Sequence, residues 1–167
     1  MSLDGQRLDP DRYTVAPRTI SFIVRQNEIL LIKLAADRER WSGHYNGIGG
    51  HVEPGEEPLS AARREVLEET GLSLPDQQLC GVVTVDTGGC PGIGLFVFVG
   101  EAVENDLSAG PEGAPNWLPI DRLADYDLVE DLDFLIPQAL KAQSENSVFF
   151  AAYSYGTGGK LQITLTE

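Results

Sequence analysis

Between Gly47 and Leu72 the chain passes from a stretch too rich in glycine for a helix into the clearest helix of the sequence. The stretch is Gly47-Ile48-Gly49-Gly50, then His51-Val52-Glu53-Pro54-Gly55, and the helix is expected over Pro58 to Thr70. Pro58 suits a first helical turn, because its missing N–H would be unpaired there in any case. Leu59, Ala62 and Val66 recur at helical spacing and define the stripe expected to be buried. Gly71 can take the left-handed conformation that ends a helix. This helix carries an anomaly. Glu65, Glu68 and Glu69 fall within roughly a 100° arc of one face. Glu65 with Glu69, and Glu65 with Glu68, place like charges at helical spacings where repulsion destabilises by roughly a few tenths of a kcal/mol. They also lie in the C-terminal half, where the helix dipole disfavours anions. Two rules broken in one place are the pattern of a functional site. A hard divalent cation reverses the sign, since Mg²⁺ or Mn²⁺ prefers oxygen ligands clustered on a rigid face. Taken by itself, the face also fits a solvated acidic surface.

The rest of the chain supplies a setting. Residues 1–16 read as a loose, polar arm, and residues 17–167 as a single domain. Ile20–Val24 and Ile29–Leu34 are apolar runs separated by Gln26-Asn27, a polar pair suited to a hairpin turn. Leu79–Val85 and Ile93–Val99 read as strands across a glycine-rich loop. Residues 105–116 read as a long loop, Trp117–Ile120 as a short extended piece, and Asp131–Ala142 as a helix interrupted by Pro137. Ser147–Tyr155 and Leu161–Thr166 are β-rich and joined by a turn at Gly156–Gly159. Strands and helices mix without strict alternation, which predicts one α+β domain rather than a doubly wound sheet.

Charge narrows the function. The chain of 167 residues has 26 acidic and 12 basic side chains, a net charge of -14. That excludes a sequence-blind grip on a nucleic acid polymer, which needs a basic surface, and a basic membrane-surface helix. No apolar run approaches the roughly 20 residues that span a bilayer, and no secretory signal is visible. Cys80 and Cys90 are too few for a disulfide framework and read as free thiols in a reducing cytosol, so a cytoplasmic location is expected.

Gly50, five residues, Glu56, seven residues, Arg64-Glu65-Val66, one residue, Glu68-Glu69, one residue, Gly71-Leu72: this string resembles the Nudix box, at positions 50–72, with every fixed position met. The resemblance implies an α/β/α sandwich with a mixed sheet and a loop–helix–loop catalytic box. It implies hydrolysis of a nucleoside diphosphate linked to another moiety, with Mg²⁺ or Mn²⁺ as cofactor. By this resemblance Glu65 and Glu69 are the principal metal ligands, with Glu68 sharing a metal or its water and the Gly49 carbonyl a further ligand. Gly49 and Gly50 would let backbone approach phosphates and metal. Arg64 would hold the carboxylates by ion pairing, and Glu56 is a metal-coordinating or general-base candidate.

The approach to the box, Tyr45-Asn46-Gly47-Ile48-Gly49-Gly50, resembles that of MutT-type oxidised-purine nucleoside triphosphatases, where the asparagine hydrogen-bonds the purine. Asn46 holds that place. A turn-forming role is its other reading. Trp117-Leu118-Pro119-Ile120-Asp121 resembles the Trp-containing strand of that subgroup. A loop glutamate five residues before its Trp reaches the metals, and here that is Glu112. The subgroup's Trp and two adjacent acids before the last helix are not reproduced: anchoring on Pro137 puts Val129 at the Trp, and Asp131 and Leu132 at the acids. Asp131 is therefore a candidate base reader or a helix-start residue. Lys33, on the second strand, is a candidate phosphate contact or a surface lysine. The expected reaction is hydrolysis of a nucleoside triphosphate, an oxidised or damaged purine among the candidates, to monophosphate and pyrophosphate. The alternatives are another nucleotide substrate (ADP-ribose, a dinucleoside polyphosphate or a nucleotide sugar) and a non-catalytic nucleotide sensor. The expected partner is a small-molecule nucleotide, and a homodimer is left open.

Overall fold

The computed structural model describes residues 11–36, 40–103 and 106–166. The apolar runs flanking Gln26-Asn27 form the expected hairpin of β1 (Val15–Arg25) and β2 (Glu28–Leu34), with Ile23 opposite Leu30 and Arg25 opposite Glu28. The two strands then part. The far half of β2 pairs instead with β3 (Tyr45–Asn46), Ile32 lying opposite Asn46. The near half of β1 takes up the glycine turn: Ser21 bridges Ile48, and Arg18 bridges His51. The Thr19 amide donates to the Gly50 carbonyl at 2.9 Å, and the Val52 amide to Pro17 at 3.1 Å. The turn thus sits in a fork between two strands, its backbone groups paired as a sheet's are.

The remaining strands are β4 (Gln77–Val85), β5 (Gly92–Glu101), β6 (Gly113–Pro119), β7 (Phe149–Tyr155) and β8 (Leu161–Thr166). The sheet runs β3-β2-β1-β5-β4-β7-β8, with β6 antiparallel to β2. It is mixed, because β1 with β5 and β4 with β7 are parallel while the other pairs are antiparallel. α1 (Pro58–Thr70) packs on β1, and α2 (Leu132–Glu145) packs on β4 and β5. A 3₁₀ turn covers Ile120–Asp125.

The alternation of β2 shows that the helices lie on opposite faces. Ile29 and Leu31 join the core that holds Leu132, Leu135 and Ile136 of α2, whereas Leu30, Ile32 and Leu34 join the core that holds Val66 of α1. A strand covered on both faces carries a continuous apolar run instead of an alternating one, which is what Ile29–Ile32 is. The fold is the α/β/α sandwich that the resemblance implies.

Several boundaries differ from the sequence expectation. β1 begins at Val15, opposite Gly92, so residues 15 and 16 belong to the sheet and not to an arm; residues 1–10 lie outside the described residues. Ordered pairing resumes at Gly113, inside the stretch expected as loop. α2 runs on to Glu145 with Pro137 inside it, because its apolar face continues through Ala139 and Ala142. Among the described residues no helix is long and apolar enough to cross a membrane.

Candidate active site

α1 is defined at both ends by specific bonds. The Glu57 carboxylate accepts the Leu59 and Ser60 amides at 2.8 and 2.7 Å, satisfying donors that a first helical turn leaves open. Gly71, at φ 78°, closes the helix with its amide on the Leu67 carbonyl. The buried face is Ala61, Ala62, Val66, Glu69 and Thr70, while Leu59, in the first turn, is only half-buried. The expected stripe is therefore corrected: the inward face is built of small residues and includes a carboxylate. Glu69 is 2% exposed, whereas the side chain of Glu65 is 14% exposed and that of Glu68 is 54% exposed.

Arg64 ties the box together. Its Nε and Nη2 donate to Glu56 Oε1 and Oε2 at 3.0 and 2.9 Å, and Nη1 donates to Glu65 Oε1 at 2.8 Å and Glu68 Oε2 at 3.4 Å. Nη2 also reaches the His51 carbonyl at 3.0 Å, tying the helix to the loop before it. These hydrogen bonds from Arg64, with the Glu53 amide second, hold the Glu56 carboxyl below its ordinary value. The bonds to Glu56 and then Glu65 push the Arg64 guanidinium up in turn.

The glycine turn and a late loop close on this helix from two sides. A Cβ at Gly50 would stand 2.4 Å from Glu65 Oε1, so the carboxylate rests on the bare α-carbon. A Cβ at Gly110 would stand 2.5 Å from the Glu69 α-carbon, and the Ser108 amide donates to the Thr70 carbonyl at 2.9 Å. The loop carrying Glu112 therefore lies across the end of α1 that holds the glutamates.

With all four ionised, Glu56, Glu65, Glu68 and Glu69 leave a surplus of three negative charges over Arg64. Among the described residues no three His, Cys, Asp or Glu side chains converge as a finished metal cage, since Arg64 draws Glu56, Glu65 and Glu68 to itself. The donor set is nonetheless anionic oxygen throughout, and Glu65 is seated against the Gly50 backbone. That chemistry fits a hard divalent cation.

From Gly49 and Gly50 a cavity of about 240 Å³ runs along the α2 face of the sheet, lined among others by Asn46, Val129, Asp131 and Tyr153. Asn46 Oδ1 accepts the Gly47 amide at 2.9 Å. Its acceptor thus holds the turn, and its Nδ2 donor is what it offers a ligand. Asp131 occupies the N-cap position of α2, but its side chain makes no capping bond. Burial, opposed by its own backbone and aided by the charge of Glu130, pushes its carboxyl up to about 6. Lys33 is exposed, its Nζ 5.7 Å from the Tyr45 ring centre, and is not among the residues lining the cavity.

Three contributors were not legible in the sequence. Trp41, held at φ 65°, brings its ring to the wall beneath the Arg40 guanidinium, which lies 3.5 Å from Glu130. Tyr153 and Tyr155 line the same cavity. Their spacing along a strand puts both on one face, a signal that could have flagged them.

The chain is 31% identical over 101 residues to the oxidized purine nucleoside triphosphate hydrolase of Mus musculus, covering 60% of this chain and 65% of that protein. It is 30% identical over 106 residues to the protein of the same name in Danio rerio, covering 63% and 67%. The chain thus spans about two thirds of the length of these curated relatives. Among solved structures, that of the mutator MutT protein from Bacillus halodurans superposes with a TM-score of 0.70 at 21% identity, over 90% of this chain and 97% of that one. The family model described as NUDIX domain matches residues 15–139. With β1 through most of α2 inside that match and the box assembled around Arg64, the chain belongs to the NUDIX domain family.

Proposed function

We propose that this chain hydrolyses a phosphoanhydride of a purine nucleoside triphosphate, an oxidised or otherwise damaged purine among its substrates, to the monophosphate and pyrophosphate. One observation carries the reading: a single cavity joins Asp131 and Asn46 to Gly50, and Gly50 rests on Glu65. A base held against Asn46 and Asp131 delivers its phosphates to α1. The names of the two curated relatives support the same substrate class.

Glu65, Glu68, Glu69 and Glu112, with the Gly49 carbonyl, would hold Mg²⁺ or Mn²⁺. When bound, the cation neutralises phosphate charge and makes water a better nucleophile. A net charge of -14 repels a polyanionic ligand, so the cation serves binding as well as chemistry. Glu56, with both oxygens on Arg64, acts as a positioning residue: it fixes the guanidinium that in turn orients Glu65. Asn46 donates from Nδ2 to the base, and Asp131 faces the same end. Lys33 has no part in this reading. The free thiols of Cys80 and Cys90 support a reducing cytoplasm as the working compartment.

The test is a panel of ordinary and oxidised purine triphosphates, ADP-ribose, a dinucleoside polyphosphate and a nucleotide sugar, each with Mg²⁺. Pyrophosphate release from the purine triphosphates should have the highest kcat/KM. Turnover confined to the other substrates overturns the proposal, and tight binding without turnover of any compound makes the chain a sensor.

A further inference from the structure

The cavity wall holds a cation that the box does not use. Arg18 lies on β1, where side chains alternate between the two faces of the sheet. Ile20 and Phe22 belong to the core on the α2 side and Ile23 to the core on the α1 side, so Arg18 shares the face along which the cavity runs. Across the fork its backbone bridges His51, and its side chain follows: Nε donates to His51 Nε2 at 3.1 Å, and Nη2 lies 2.9 Å from the same nitrogen. The His51 carbonyl accepts from Arg64 at 3.0 Å. One residue thus receives Arg64 at its backbone and Arg18 at its ring, which puts Arg18 at the end of the cavity next to the box. In a chain with 26 acidic side chains this half-buried guanidinium has no carboxylate partner among the described residues. Its bonds run along the Nε–Nη2 side and leave the Nη1–Nη2 end, a second fork of two parallel N–H groups, without a partner there. Arg40, the other arginine of the wall, lies over the Trp41 ring and 3.5 Å from Glu130.

We propose that Arg18 is a substrate-binding residue that grips the phosphate next to the nucleoside directly, with no metal ion between them. A planar guanidinium fork matches two oxygens of one phosphate. The glutamate face repels a phosphate until a cation is bound, whereas Arg18 attracts it in either condition. The bond to His51 holds the guanidinium in place before the ligand arrives, so little side-chain freedom is lost on binding. The inference rests on the function proposed above for the identity of the ligand, a nucleotide in this cavity. It goes beyond that function by assigning part of the affinity to a protein cation, so that discrimination between nucleotide and nucleoside persists when divalent metal is removed.

The test compares a purine nucleoside with its monophosphate, by calorimetry in EDTA. Wild type should bind the monophosphate roughly tenfold or more tighter than the nucleoside, the effect of a charge-assisted hydrogen bond. Arg18→Gln should remove that gap by raising the Kd of the monophosphate and leaving that of the nucleoside unmoved. Arg18→Lys keeps the charge without the fork and should fall between the two, which also carries the comparison if Arg18→Gln does not fold. A role confined to holding His51 would move both ligands alike and lower the Tm. That result overturns the inference, as does a wild type that binds the two ligands equally or binds neither. Because no metal is present, the outcome is independent of hydrolysis. A gap that Arg18→Gln abolishes, in a protein that releases no pyrophosphate with Mg²⁺, removes the proposed function and leaves Arg18 as a phosphate contact. Pyrophosphate release with Mg²⁺ and no gap in EDTA does the reverse.

Discussion

Arg64 and Glu56 meet fork to fork, two parallel N–H···O bonds of 3.0 and 2.9 Å across eight positions of sequence. A lysine at position 64 keeps the charge but cannot span two carboxylate oxygens and still reach Glu65. Arg64→Lys should therefore lower kcat by roughly 10–100-fold, the usual effect of disturbing the groups that orient metal ligands. The Tm should move little, because partly exposed ion pairs contribute about 1 kcal/mol or less. Unchanged turnover in steady-state assays would show that Arg64 does not organise the site.

Glu69→Gln is expected to abolish measurable turnover while the fold survives. The glutamine is nearly isosteric at a site that is 2% exposed, and it relieves the like-charge pair with Glu65. Circular dichroism melts should show a Tm equal to or above wild type. Near-normal turnover would sink the assignment of Glu69 as a metal ligand.

Divalent metal should raise the Tm, and EDTA should remove the gain. A ligand that binds only the folded state stabilises it by about 2.7 kcal/mol at a hundredfold excess over Kd. The shift should be largest with nucleotide present and absent in Glu69→Gln. No shift at millimolar Mg²⁺ or Mn²⁺, with or without nucleotide, counts against the site.

Asn46 and Glu112 should fail differently. Asn46→Asp keeps the acceptor that holds the Gly47 amide and removes the Nδ2 donor, so the turn survives while base recognition suffers. KM should rise unequally among purines, by roughly two- to tenfold for a hydrogen bond of about 0.5–1.5 kcal/mol. Glu112→Gln should lower kcat for every substrate alike. Kinetics on three or more nucleotides separate the patterns, and a silent Glu112→Gln would remove the late loop from the metal site.

Asp131 sets a pH dependence of unusual sign. Its folded pKa of about 6 lies above the ordinary 3.8, so between those values the native state holds more protons than the unfolded state. Stability contributed by this group is therefore lost as pH rises from about 4 to 6. Asp131→Asn removes the burden of a buried charge and should stabilise the protein at pH 7 by up to about 3 kcal/mol. Near pH 4 the benefit should vanish. Denaturant melts at both pH values decide it, and an equal gain at each would mean that Asp131 does not titrate between them.

What the sequence made legible was local. Pro58, the glutamate spacing and Gly71 mark a helix whose observed limits are the expected ones, because each is fixed by bonds within a few residues. The hairpin around Gln26-Asn27 was readable for the same reason. β3 was not, since two residues, Tyr45 and Asn46, form a strand only where β2 leaves β1 and needs a partner. Glu57 is not readable as a cap from sequence, because glutamate is not among the residues that usually fill that position. Asp131 shows the limit most plainly: a helix-start acid looks the same in sequence whether it caps the helix or faces a cavity.

The fork between β1 and β2 also determines how the site meets its ligand. A catalytic loop is ordinarily a segment that must be ordered when the substrate arrives, and association is weakened by that ordering. Here the Gly47–His51 turn is already paired to Ser21, Thr19 and Arg18 on one side, and β3 beside it to Ile32 and Lys33. The amide of Asn46 and the backbone that supports Glu65 are therefore preorganised as parts of one rigid sheet. On the far side of α1 the late loop meets the helix through the Ser108 amide on the Thr70 carbonyl and the close approach of Gly110 to the Glu69 backbone, so the glutamate face is bounded by fixed backbone on two sides.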